Sequence, residues 1–239
     1  MITVKKINKA TTLYHWNPKL NAGKDEILEL TVREAADWGV STNQPSRIVL
    51  YWPNFTEPFH SASLRLFAAN VEGHKEENIE IGYYPISGSW KEGSGKYFDN
   101  PTISDDWGST WSYRYQNTEE EWSGNTGIFT TATGVTGNTA PDGKQGGGTY
   151  YTGSNSGSLV SSITTTDIDQ DSTSFDINVN ITDFQTHISN STIVNNGMLL
   201  KIVTESASAI NGSLKFYSNN SPSIYYPRVE LKYDDYIWS

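Results

Sequence analysis

Asp167, Asp169 and Asp171 place three carboxylates two residues apart, a spacing that converges on calcium when the chain curls. The stretch lacks the glycine and the distal glutamate of an EF-hand loop and runs on into a strand-like segment. It stands as a weak calcium candidate beside the simpler reading of a solvated turn. Glu119, Glu120 and Glu121, followed by Trp122, set carboxylates beside an aromatic ring. Glycoside hydrolysis needs two carboxyls about 5–10 Å apart across the scissile bond. Neighbouring side chains on an extended chain point to opposite faces, so this run does not supply that pair by itself. His15, His60, His74 and His187 are widely separated, and no two-histidine helical motif or nucleophile elbow accompanies them. Residues 90–96 approach a phosphate loop, but Trp90 stands where the loop needs its first glycine. The sequence thus assigns no catalytic residue and no cofactor.

The aromatic residues carry more. Among eight tryptophans and fourteen tyrosines, Trp107, Trp111, Trp122, Tyr150 and Tyr151 lie in polar, turn-rich sequence. Exposed rings there would stack on sugars or anchor a protein interface. The competing reading makes them packing residues of a core and its loops.

These residues must be held by strands. The chain has 239 residues, no cysteine and a formal net charge of −10. It is long enough for a sizeable core without disulfides. An acidic chain is a poor partner for nucleic acid or an anionic membrane surface, both of which select clustered Lys and Arg. No apolar run near Met1 is long enough for a signal peptide or a membrane span, so the expectation is synthesis in the cytoplasm without membrane insertion.

Strand patterns recur at Thr11–Asn17, Glu26–Val32, Arg47–Trp52, Ser61–Ala68, Asn78–Ile86, Phe175–Ile181, Met198–Val203, Gly212–Ser218 and Ser223–Asp235. The run Arg47–Trp52 is continuously apolar after its arginine, as in a strand buried on both faces. Gly73–Lys75 reads as a hairpin loop, and Asn195–Gly197 as a turn. Thr182–Ile188 predicts a short helix with Thr182 as its N-cap. Residues 87–158 are rich in Gly, Ser, Thr and Trp and read as an elaborated loop that packs its aromatics onto the rest, with 141–158, including Gly146–Gly148, its most mobile part. The expected fold is all-β: one antiparallel two-sheet sandwich of jelly-roll type spanning residues 1–239, with this long insertion and one short helix.

The order of the segments resembles the DNRLRE-type jelly-roll domains, especially a version in virion structural proteins of tailed, cyanophage-like phages. The residues that carry the resemblance are Thr12–Tyr14, Asn21–Leu30, Ser46–Leu50, Ser61–Phe67, Trp90–Lys96, Gly108–Trp111, Asn180–Asp183, Asn195–Gly197 and the closing Lys215–Ser218 with Tyr226-Pro227. Two positions depart from it. Ile188 stands where the family often has tryptophan, and Asn219-Asn220 where it has an Arg-Glu pair. The resemblance implies a non-enzymatic component of a tail, baseplate, neck or capsid surface, made in the host cytoplasm and resident in the virion. Its implied partners are other virion proteins and further copies of itself. The alternative is a carbohydrate- or receptor-binding module that attaches to a host-surface glycan through the exposed Trp and Tyr loops.

Overall fold

The computed structural model describes residues 1–33, 43–55, 58–72, 79–97, 107–122, 130–133, 146–152, 161–165, 176–203, 205 and 213–233. Its strands in chain order are β1 (Ile2–Lys6), β2 (Lys9–Tyr14), β3 (Ile27–Leu30), β4 (Val32–Arg33), β5 (Gln44–Tyr51), β6 (Ser61–Leu66), β7 (Ala68–Glu72), β8 (Ile79–Pro85), β9 (Tyr113–Tyr115), β10 (Glu120–Glu121), β11 (Thr130–Thr133), β12 (Thr149–Thr152), β13 (Ser161–Thr165), β14 (Ile177–Asn180), β15 (Met198–Ile202), β16 (Ser213–Tyr217) and β17 (Arg228–Lys232). A helix, α1 (Thr182–Ser189), lies between β14 and β15. No helix among the described residues is long and apolar enough to cross a membrane. The calcium candidates Asp167, Asp169 and Asp171 and the Gly73–Lys75 loop lie outside the described residues.

The main sheet runs β13-β8-β15-β5-β2, all antiparallel. Opposite it stand the ladder β1-β17-β6-β14 and the ladder β3-β16-β7. Successive side chains alternate between sheet faces, and the inward set meets in one core. Ile48 and Leu50 of β5, Met198 and Leu200 of β15 and Ile81 of β8 join Leu64 of β6, Val179 of β14, Val229 and Leu231 of β17 and Leu214 and Phe216 of β16. This is the all-β sandwich expected, closed at one end by Phe184 and Ile188 of α1, with Phe184 edge-on to Trp52 at 5.7 Å. Each large apolar side chain buried here contributes about 1.5–3 kcal/mol against the conformational entropy that ordering the chain costs.

Two local expectations change. Thr182 is the first residue of α1 rather than its cap; the cap position is Ile181, and the Thr182 hydroxyl accepts a bond from the Ala62 amide instead, tying the helix start to β6. The last strand begins only at Arg228, and residues 223–227 lead into it without forming strand themselves. β16 and β17 do not pair with each other: β16 lies between β3 and β7, β17 between β1 and β6. The Asn219–Pro222 corner therefore carries the chain between ladders.

Candidate functional site

The outer face of the main sheet is covered over its central strands. β5 and β15 are buried along nearly their whole length, which requires cover on both faces. Leu13, Val49 and Leu199 point outward and are closed over by Trp90, Trp111, Trp122, Ile86 and Tyr150 in a second core. The insertion is thus a third layer, and it supplies the covering aromatics.

Under that layer sits a buried ionic cluster. Arg47 follows the alternation of β5 onto the outer face, next to Val49 and opposite Leu13 of β2. Its Nε and one terminal nitrogen donate to the two carboxylate oxygens of Glu205 at 2.8 and 2.7 Å, and the other terminal nitrogen donates to the Gly147 carbonyl at 2.7 Å. Both side chains are fully buried. The guanidinium lies 4.9 Å from the centre of the Trp111 ring and 5.9 Å from that of Tyr150. Lys201, two residues beyond Leu199 on β15, brings its ammonium to 3.4 Å from Glu205 and donates to the Ile202 carbonyl at 3.0 Å. Burial holds the Lys201 ammonium below its ordinary range, although the Glu205 charge opposes this. Arg47 is shifted upward: burial works against its charge, and the Glu205 carboxylate outweighs it. Burial pushes the Tyr84 phenol up to about 12 and raises that of Tyr150, whose ring centre is 4.9 Å from that of Tyr84.

Gly147 shows why this stretch is glycine-rich. Its φ is +83°, and a Cβ would lie 2.6 Å from an Arg47 terminal nitrogen and 2.8 Å from the Trp111 ring. Its amide donates to the Trp111 carbonyl at 2.7 Å. Gly146–Gly148, expected within the most mobile part of the insertion, are buried as the lid over Arg47.

A second knot ties the insertion to the ends of the sandwich. Glu92 Oε1 accepts from the Ala10 amide at 2.9 Å and from Asn219 Nδ2 at 3.0 Å, while Oε2 accepts from Lys24 Nζ at 2.7 Å. Asn21 Nδ2 donates to the carbonyls of Glu92 and Ser109 at 2.7 and 2.8 Å, and its Oδ1 accepts from the Gly95 amide at 2.8 Å. Asn220 Nδ2 donates to the Gly23 carbonyl at 2.9 Å. Gly93, at φ +81°, packs against Gly108, where a Cβ would come within 2.4 Å of the Gly108 nitrogen. The Asn21–Gly23 turn, the segment 90–96, Gly108–Trp111 and the Asn219-Asn220 corner are scattered along the chain and meet here.

The aromatic candidates fall differently from their expected exposure. Trp111, Trp122, Tyr150 and Tyr151 are buried. Trp111, Trp122 and Tyr150 belong to the second core, whereas Tyr151 points the other way into the main one. Only Trp107 is half-buried. Trp122 and Trp90 donate their indole N–H groups to the Thr110 and Asn196 carbonyls, both at 2.9 Å. Rings so enclosed give a sugar no free face. The acidic run has a modest place: Glu120 and Glu121 are exposed on β10, and Glu120 pairs with Arg114 at 2.9 Å. Nothing in the sequence flagged Arg47 or Glu92, because their partners are remote; the one available signal was an arginine at the head of a doubly buried strand.

The chemistry this arrangement supports is mechanical attachment. Arg47, Glu205 and Lys201 are held by one another and by backbone carbonyls, and Glu92 by three donors. No family model matches this chain, and no curated protein matches it.

Proposed function

We propose that this chain is a non-enzymatic structural component of a tailed-phage virion, acting through protein–protein contacts. Two things support the reading. The segments that carry the DNRLRE-type resemblance are not scattered in space: Asn21, Glu92, Gly93, Gly108 and the Asn219-Asn220 corner meet in one knot that locks the insertion to the sandwich. The observation that carries the interface itself is β1. It borders its ladder, and Ile2 and Val4 on it are 57% and 45% exposed. A three-layer body with an open apolar edge is suited to assembly.

The glycan-binding alternative relied on exposed Trp107, Trp111, Trp122, Tyr150 and Tyr151; four of these are buried and Trp107 is half-buried, which removes most of its platform. The test is mass spectrometry of particles purified after co-expression with the neighbouring genes. The chain is expected among the particle proteins; its absence while expressed in the same cells would overturn the reading.

A further inference from the structure

The outer face of the β1-β17-β6-β14 ladder reverses the charge of the molecule. The chain carries 27 acidic and 17 basic residues. Yet Lys6, Arg228 and Arg65 lie side by side in one row across three adjacent strands. Lys232 lies opposite Ile2 on the same face. Glu230, in the intervening row, is shared by Arg65 at 3.3 Å and Arg228 at 2.9 Å. Arg228 also lies 4.7 Å from the centre of the Phe67 ring, and the Lys6 ammonium 5.1 Å from that of Tyr226. One carboxylate within these rows thus faces four cations.

The edge of β1 has a defined hydrogen-bonding direction. Met1 and Tyr233 exchange backbone bonds, and the Ile7 amide donates to the Pro227 carbonyl. In an antiparallel ladder the bonded positions recur every second residue. Met1, Thr3, Lys5 and Ile7 therefore bond toward β17, and Ile2, Val4 and Lys6 turn their N–H and C=O groups to the other side, where no strand among the described residues pairs with them. The same alternation sends the Ile2, Val4 and Lys6 side chains to the cationic outer face.

The geometry points to an extended acidic segment of another protein as the occupant, added as a further strand beside β1. Its backbone pairs with Ile2, Val4 and Lys6, its apolar side chains lie beside Ile2 and Val4, and a carboxylate lies beside Lys6 on the cationic face. A second copy of β1 is a poor occupant. A self-paired edge adds a second set of lysines to an already cationic face, and residues 2–6 contain no carboxylate to answer them. This inference rests on the interface reading above and names the partner's chemistry.

The probe is the acetylated, amidated peptide EEVTVT, with KKVTVT as control, added to the full chain while backbone amide resonances are followed. EEVTVT is expected to shift the Ile2, Val4 and Lys6 amides saturably, and KKVTVT to leave them in place. Val4→Pro removes an outward donor and no bond to β17, and is expected to weaken binding about tenfold with an unchanged melting temperature. Lys6→Glu keeps the test decisive should the proline variant misfold, because it is expected to weaken EEVTVT and admit KKVTVT. The proposal is overturned if EEVTVT shifts none of these amides, if KKVTVT binds as well, or if neither substitution changes binding. Self-association that shifts the same amides without peptide would also overturn it, by making a second copy the occupant. A failure here with the chain still present in purified particles removes only the acidic-strand assignment, whereas absence from particles removes the virion reading.

Discussion

Arg47 and Glu205, 158 residues apart in sequence, make a two-pronged ion pair with no solvent exposure on either side chain. The pair lies between the main sheet and the insertion, and the third bond from Arg47 reaches the Gly147 carbonyl. Removing one member leaves a buried charge without its counter-ion. Glu205→Ala is therefore expected to cost about 3–5 kcal/mol in denaturant unfolding. The triple change Arg47→Met, Lys201→Met, Glu205→Leu removes every charge of the cluster and is expected to cost less than that single change. A triple variant weaker than Glu205→Ala would show that the ions are not merely tolerated there.

Trp111 and Trp107 separate packing from exposure. Trp111 is fully buried against Arg47 and edge-on to His15, with ring centres 5.0 Å apart. Trp111→Ala should cost about 3–5 kcal/mol. Trp107→Ala, at a half-buried site, should cost clearly less in the same unfolding assay.

Much of this was legible beforehand. Ser61–Leu66 alternates cleanly because one face is core and the other solvent, and β6 falls on that segment. The unbroken apolar run after Arg47 correctly implied cover on both faces. That the insertion packs aromatics onto the sandwich was read beforehand, and Trp90, Trp111, Trp122 and Tyr150 do cover the sheet; which rings would be buried was not legible. Composition alone left the tryptophans undecided between surface and core. Glu92 looked like part of a failed phosphate loop, since its donors Ala10, Lys24 and Asn219 are assembled by topology and not by spacing. Ser223–Pro227 read as strand because it leads into the alternation of Val229, Leu231 and Tyr233, yet it serves as the approach to β17.

Glu92 and Lys24 form an unequal pair, 13% and 42% exposed. Glu92→Gln turns one acceptor into a donor among the donors of Ala10, Lys24 and Asn219, and should cost about 1–3 kcal/mol. Lys24→Met removes only a solvent-screened partner and should cost no more than about 1 kcal/mol. Chemical denaturation of the two variants checks the ratio.

Alkaline pH tests the buried phenols. Tyr84 titrates near 12 in the fold, with Tyr14, Tyr150 and Tyr151 also raised, chiefly by burial. Above their ordinary value of 10 the unfolded chain loses these protons first, so stability present below pH 10 is lost as the pH rises toward 12. Lys201 opposes this. Its lowered value lets the unfolded chain hold the extra proton in the window below 10.5, so its contribution rises with pH there. Four phenols outweigh one ammonium above pH 10, and the denaturant midpoint should fall. Tyr84→Phe should flatten that fall; an unchanged slope would place Tyr84 outside the buried layer.

The decisive measurement is quantitative mass spectrometry of purified particles before and after a high-salt wash. The account predicts a fixed copy number relative to the major particle protein, retained through the wash. A chain absent from the particles, or present in a variable amount that salt removes, would contradict it.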